Sequence, residues 1–178
     1  MKSLPVPRTR RVTVAAVALL GLALAGCGNA SPGVGAYVGD EAISQSSVES
    51  AVAGVSSTLE QGQTVSSEAV VNAMIHGALS EQIAARENIT ITDADRDAVL
   101  QASELAPLVA VPAAKPVAYD VADQQIVAQQ VGPEAYLEQV QQLPVKLNPR
   151  YGVLDPGQKL IVTGQSGSLS QPAAGETP

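Results

Sequence analysis

The sequence predicts a mostly α-helical domain with short strands near its two ends. First, apolar residues recur at helical spacing in successive segments. Second, four of the five segments begin at a Ser, Thr or Pro, which are residue types that cap or start helices. Third, the 178 residues include four Tyr but no Phe or Trp, so the core must be built from Ala, Val, Leu and Ile.

Residues 1–26 resemble a lipoprotein signal peptide that precedes this domain. A basic start is followed by an apolar run over 12–26, which is too short to cross a bilayer of about 30 Å as a permanent helix and is typical of a secretory signal. The run ends in Leu24-Ala25-Gly26-Cys27, which is similar to the bacterial lipobox. The resemblance implies lipidation of Cys27 and anchoring to the cell membrane on its extracytoplasmic face. An ordinary signal peptide with an incidental Cys is the alternative.

Removal of this segment makes the chain strongly acidic. Four of the ten basic residues lie within it, which leaves six against 17 acidic residues and a net charge of −11. Such a charge repels nucleic acids, and we therefore expect no nucleic-acid partner. The four basic residues removed are Lys2, Arg8, Arg10 and Arg11.

The first elements follow a segment rich in Gly, Ser and Pro. Residues 27–36 are predicted to form a flexible tether, and residues 37–43 a short strand with a turn at Gly39-Asp40. Ser44 then caps a first helix, which Gln61-Gly62-Gln63 ends. The apolar stripe of this helix is Val48, Val52, Val55 and Leu59.

Two further helices are predicted from their caps. Ser66 begins a second helix that runs to about residue 87, with Glu68 in its first turn, where the helix dipole favours an acidic side chain. An extended segment over 88–91 separates it from a third helix, which Thr92 caps and which ends near Ser103.

The remainder of the domain is predicted as two helices and a closing pair of strands. Three prolines make regular helix unfavourable over 104–118, so a fourth helix is placed at 120–131, before Gly132. Pro133 begins a fifth helix, and Pro144 ends it. Its predicted apolar face is Tyr136, Leu137, Val140 and Leu143. Strand, turn and strand follow over 145–163, which completes a domain of residues 37–163, and 164–178 is predicted to be a disordered tail.

Residues that could support catalysis are scarce. His76 is the only histidine and Cys27 the only cysteine, which excludes a zinc site of His and Cys ligands. His76 shares a helical stripe with Asn72 and Ser80, so we expect it at the solvent-facing side of the second helix. There is no Gly-x-Ser-x-Gly motif and no phosphate-binding glycine loop. The sequence thus predicts no enzyme, no catalytic residue and no cofactor.

One acidic run matches part of an EF-hand calcium loop. The matching positions are Asp93, Asp95, Asp97, Leu100 and Glu104. The sixth position needs Gly for a sharp turn, and here it is Ala98. The competing interpretation is a helix start, at which Thr92 caps the helix and the acids complement its dipole.

Two motifs resemble the SurA N-terminal-like domain of periplasmic chaperones and PrsA-type foldases. They are Val38-Gly39-Asp40-Glu41-Ala42-Ile43-Ser44, followed by an amphipathic helix, and Asn148-Pro149-Arg150-Tyr151-Gly152. The resemblance covers about 37–155 and implies a helical bundle with a small antiparallel β pair that joins Val38 to the region around Leu147. SurA and PrsA also contain a parvulin isomerase domain, for which these 178 residues leave no room, and we therefore expect no isomerase activity.

The resemblance implies a membrane-anchored chaperone that holds unfolded or partly folded exported proteins without catalysis. Its groove would be lined by Val, Leu and Ile, with 105–118 either an uncovered flap or a loop packed on the helices. A scaffold that docks one specific envelope protein is the first alternative. A calcium- or small-molecule-binding envelope protein is the second.

Overall fold

The computed structural model describes residues 32–155, 159, 161 and 162, which form a mostly helical domain with a small antiparallel sheet. This confirms the predicted fold class. The signal segment, Cys27 and the tail lie outside the described residues. The helices are α1 (Gln45–Ser56), α2 (Ser67–Glu87), α3 (Asp93–Gln101), α4 (Lys115–Val131) and α5 (Pro133–Gln142). The strands are β1 (Val34–Val38), β2 (Glu41–Ser44), β3 (Val145–Leu147), β4 (Val153–Leu154) and β5 (Ile161–Val162).

Strand β1 lies at the centre of a three-stranded sheet between β2 and β3. Ala36 is opposite Leu147 and Val38 is opposite Val145, which confirms the pairing of the two ends of the domain. The predicted tether was wrong over its last residues, because β1 begins at Val34. Ala36 and Val38 are fully buried, as expected for alternate residues on the inner face of a strand.

Helix α2 is the central element and packs against α4, α1, α5 and β1. Ile75, Leu79 and Ile83 are completely buried on it, at the i, i+4 and i+8 spacing of one helical face. Gly54 of α1 lies so close to the start of α4 that an added Cβ would come within 2.7 Å of the Ala114 nitrogen.

The three predicted N-caps are confirmed. The side chains of Ser44, Ser66 and Thr92 each accept a hydrogen bond from the backbone N–H three residues later. Thr92 and Asp95 form a complete capping box. The predicted end of α2 near residue 87 is also confirmed, because the helix ends at Glu87. The conformation of its C-cap was not predicted: Asn88 is left-handed, with φ of 57°.

Several boundaries differ from the predictions. Helix α1 ends at Ser56, before Leu59, and α4 begins at Lys115, five residues earlier than expected. Pro116 is tolerated there because the first turn of a helix needs no N–H donor. Leu137 is 46 % exposed, so it does not belong to the buried face of α5. The closing segment pairs twice, β3 with β1 and β4 with β5.

Candidate functional site

The proline-containing segment before α4 separates two cavities. Leu108 and Ala114 are buried in it, so the segment packs on the helices and is not an uncovered flap. Pro112 and Pro116 are exposed and line both cavities. We call one cavity the acidic pocket and the other the apolar groove, and we call the two prolines the shared wall.

The acidic pocket has a volume of about 380 Å³ and lies where α2, α3 and α4 meet. Its lining combines acidic and basic side chains around one aromatic ring. Besides the shared wall, the lining residues are Glu81, Arg96, Lys115, Tyr119, Asp120 and Asp123.

A buried ion pair forms the floor of this pocket. Arg96 donates from Nε to Asp123 Oδ1 at 2.7 Å and from Nη2 to Asp123 Oδ2 at 2.9 Å. Asp123 is only 2 % exposed, and its hydrogen bonds raise the pKa of Arg96 above its usual range. Arg96 also bonds to Asp93 at 3.0 Å. This two-point geometry fixes α3 against α4.

Tyr119 lies between the two cations of the pocket. The Arg96 guanidinium is 5.3 Å and the Lys115 ammonium 4.7 Å from the ring centroid, both within cation–π range. The Tyr119 hydroxyl donates to Asp97 at 2.9 Å. Both cations of the pocket therefore already have partners.

Asp120 has a different environment. No hydrogen bond or ion pair joins its carboxyl to any other described residue, and this carboxyl packs against Gly77 of α2. Burial, and then repulsion from Glu81 and Asp123, raises the pKa of Asp120 to about 8. Partial burial, followed by repulsion from Glu41, also raises the pKa of Glu81. At neutral pH Asp120 mainly retains its proton, and a cation that entered the pocket would favour its release.

The apolar groove has a volume of about 410 Å³ and lies on the other side of the shared wall. Helix α1 contributes Ser46, Ser47, Ser50 and Ala51, and Met74, Ala113 and Val117 complete the lining. Its floor is thus aliphatic, with a flexible methionine that adapts to different shapes. The serines on its edge supply hydroxyl groups for hydrogen bonds.

The prediction that His76 faces solvent was wrong. The residue is 5 % exposed, and its Nδ1 lies 3.5 Å from Gln124 Nε2 of α4. Burial lowers the pKa of His76 more than the backbone of Lys159 raises it, so the ring is neutral and lies outside both cavities. The stripe that it shares with Ser80 faces inward, since Ser80 is buried and bonds Tyr136 at 2.9 Å.

The acidic run at 93–104 begins with a capped helix, α3, and does not form a calcium-binding loop. Asp95 accepts hydrogen bonds from the backbone and hydroxyl of Thr92, which lower the pKa of Asp95. Leu100 is buried in the core. The EF-hand ligand positions are therefore on a helix and do not form a loop. Within the described ranges, no group of three or more His, Cys, Asp or Glu could hold a metal ion.

Comparison with known proteins found no match. The chain fits no protein-family model, and no similar protein was found among the curated proteins or the solved structures. Of the helices in the described part of the chain, none has both the length and the apolar character needed to cross a membrane. Functional inference therefore depends on the two cavities and on the lipobox-like sequence.

Proposed function

We propose that this protein is an extracytoplasmic lipoprotein, anchored through lipid on Cys27, that binds segments of exported polypeptides without catalysis. One observation carries the proposal: two cavities of about 380 and 410 Å³, one acidic and one apolar, share a wall of two prolines. This arrangement is suited to a ligand that presents an apolar and a basic group close together. Polypeptides commonly present apolar and basic side chains at such short separations.

The spacing of side chains on an extended peptide supports this choice. Side chains two residues apart point the same way and lie about 7 Å apart. Since both cavities border on Pro112 and Pro116, neighbouring side chains of one peptide can enter them together. The hydroxyls of Ser46 and Ser47, which line the groove, bond Ser44 at 2.9 and 2.7 Å; since a hydroxyl is both donor and acceptor, each retains the capacity to bond a peptide backbone.

The charges favour Lys or Arg in the acidic pocket once Asp120 is ionised. Asp123 is already paired with Arg96, which leaves Glu81 and Asp120 to receive a new cation. Binding would shift Asp120 towards its ionised form and release a proton. We therefore expect the affinity for a basic peptide to rise with pH up to about 8, the pKa of Asp120 in the empty pocket.

Binding to labelled peptides tests the proposal. We would measure fluorescence anisotropy for a peptide with the core Leu-x-Lys, and for matched peptides in which Glu replaces Lys or Ser replaces Leu. Weaker binding of both matched peptides is the expected result. Equal affinity for the Glu peptide, or no binding by folded protein, would contradict it.

The exposed surface indicates whether the protein binds many unrelated polypeptides or few. Among the described residues only Leu137 and Val153 are large, apolar and exposed, which favours selection by the cavities over capture on a broad apolar surface. A scaffold for one envelope partner is therefore the second candidate. Light scattering from two unrelated denatured clients distinguishes a chaperone from a scaffold. A chaperone suppresses the scattering of both clients more than an albumin control does, and a scaffold suppresses the scattering of neither.

A further inference from the structure

The attachment point of the domain limits how it can be oriented at a membrane. The chain from Cys27 to Gly33 spans six residues, which reach at most about 22 Å at 3.6 Å each. Gly33 is fixed to the start of α1, because its carbonyl accepts from the Gln45 nitrogen at 2.8 Å. A domain of this size is roughly 35 Å across. The connection is therefore shorter than the domain that it carries.

The end of the domain at this point carries a cation, Arg150, besides the acids at the starts of α1 and α2, Glu49 and Glu68. We call it the anchor end; its exposed residues include Ser46, Ser47, Pro149 and Arg150. Arg150 belongs to it because it donates to Gln45 at 2.9 Å. The nearest acid on α1, Glu49, lines one cavity with Arg150, so these two charges offset each other.

The opposite end is acidic. Strand β1 runs from the anchor end to the turn at Asp40 and Glu41. Helix α2 runs in the same direction, since its first residue, Ser67, lines a cavity with Arg150 and Gln82 near its end bonds the Val38 carbonyl at 2.8 Å. Repulsion from Glu41 acts on Glu81 and on Asp120. The turn and the acidic pocket thus lie together at the far end.

We propose that the anchor end faces the phospholipid headgroups and that the acidic end faces away from the membrane. The inference rests on the proposed lipidation of Cys27. The short connection prevents inversion of the domain, and repulsion from anionic lipid disfavours contact through the acidic end. The groove, which includes Ser46 and Ser47, then opens near the membrane, and the acidic pocket lies farther out.

Energy transfer to labelled lipid tests this orientation. Full-length lipidated protein would be placed in vesicles of phosphatidylcholine and phosphatidylglycerol that contain a headgroup-bound acceptor. A donor would be attached at Ser46→Cys or at Asp40→Cys. We expect the donor at 46 to lie about 15 Å closer to the headgroups, because the five residues of β1 rise about 3.3 Å each. A matched variant with about ten Gly and Ser residues inserted after Asn29 should show a smaller difference, because only repulsion from anionic lipid then opposes inversion.

The outcomes distinguish the two proposals. Mass spectrometry of the same sample shows whether Cys27 carries lipid. Lipidated protein with equal distances at 46 and 40, or with the order reversed, overturns the orientation and leaves the proposed anchoring intact. Protein without lipid overturns the anchoring, and the orientation with it.

Discussion

The acidic pocket and the apolar groove share a wall, but different forces maintain them. The pocket depends on a buried ion pair, Arg96 with Asp123, and on a carboxyl, Asp120, whose charge depends on pH. The groove depends on the close packing of α1 against the start of α4, where Gly54 meets the backbone of Ala113 and Ala114. Substitutions and pH should therefore affect the two cavities differently.

Loss of the ion pair should have the largest effect. Arg96→Ala leaves the Asp123 carboxylate buried without its partner, and removal of one member of such a pair lowers the free energy of unfolding by about 3 kcal/mol. Urea unfolding measures this change. Arg150→Ala is the matched control, because its exposed bond to Gln45 should contribute less than about 0.5 kcal/mol. Equal losses in the two variants would contradict the importance of the buried pair.

Gly54→Ala should have the next largest effect. Helix propensity alone predicts a gain of about 1 kcal/mol, but the new Cβ would come within 2.8 Å of the Ala113 carbonyl carbon. Overpacking against backbone lowers the free energy of unfolding by about 2 kcal/mol. Thermal unfolding measures this loss of stability. The control is Ser50→Ala, an exposed position on the same helix. A raised melting temperature for Gly54→Ala would refute the close packing.

Asp120→Asn should stabilise the protein in a pH-dependent way. The pKa of Asp120 is raised to about 8 in the folded protein, so the folded state binds a proton more tightly than the unfolded state does. The free energy of unfolding then decreases as pH rises from about 4 to about 8. Asn removes this loss, so it should raise the free energy of unfolding by at least about 2 kcal/mol at pH 8 and by almost nothing at pH 4. Urea unfolding at both values, with exposed Asp40→Asn as control, tests the sign. The same gain at both pH values would contradict the buried carboxyl.

Glu81→Gln should have the smallest effect, on binding alone. Loss of one partly exposed charge weakens the attraction for a Lys side chain by about 0.5–1 kcal/mol. We expect a few-fold weaker affinity for the Leu-x-Lys peptide by anisotropy, and unchanged affinity for a third peptide in which an uncharged Ser replaces Lys. Glu138→Gln on α5 is the control. If both variants weaken binding equally, overall charge and not the pocket attracts the peptide.

Local features of the fold could be predicted from sequence. The caps at Ser44, Ser66 and Thr92 were found because a cap depends on residues within one turn. The pairing of β1 with β3 came from the resemblance of motifs at both ends and not from periodicity. The start of α4 was placed too late because Pro116 was treated as a helix breaker, although it lies in the first turn.

Features that depend on distant contacts could not be predicted. Arg96 and Asp123 are 27 residues apart, and no local pattern marks them as partners. His76 was expected in solvent because its stripe is polar, and it is buried because α4 covers that side of α2. Asp120 is likewise an ordinary acid in the sequence, and its raised pKa results from burial against Gly77.

Crosslinking of a bound peptide tests the central claim most directly. A Leu-x-Lys peptide with photoreactive leucine would be bound, irradiated, and treated with carbodiimide, which joins the lysine amine to a carboxyl in contact. Mass spectrometry of the digest would locate both links. We predict that lysine is joined to Glu81 or Asp120 and that leucine is joined to the groove, for example at Met74. Links at the exposed Leu137 or Val153, or lysine links spread over the acids of α3, would contradict the two-cavity account.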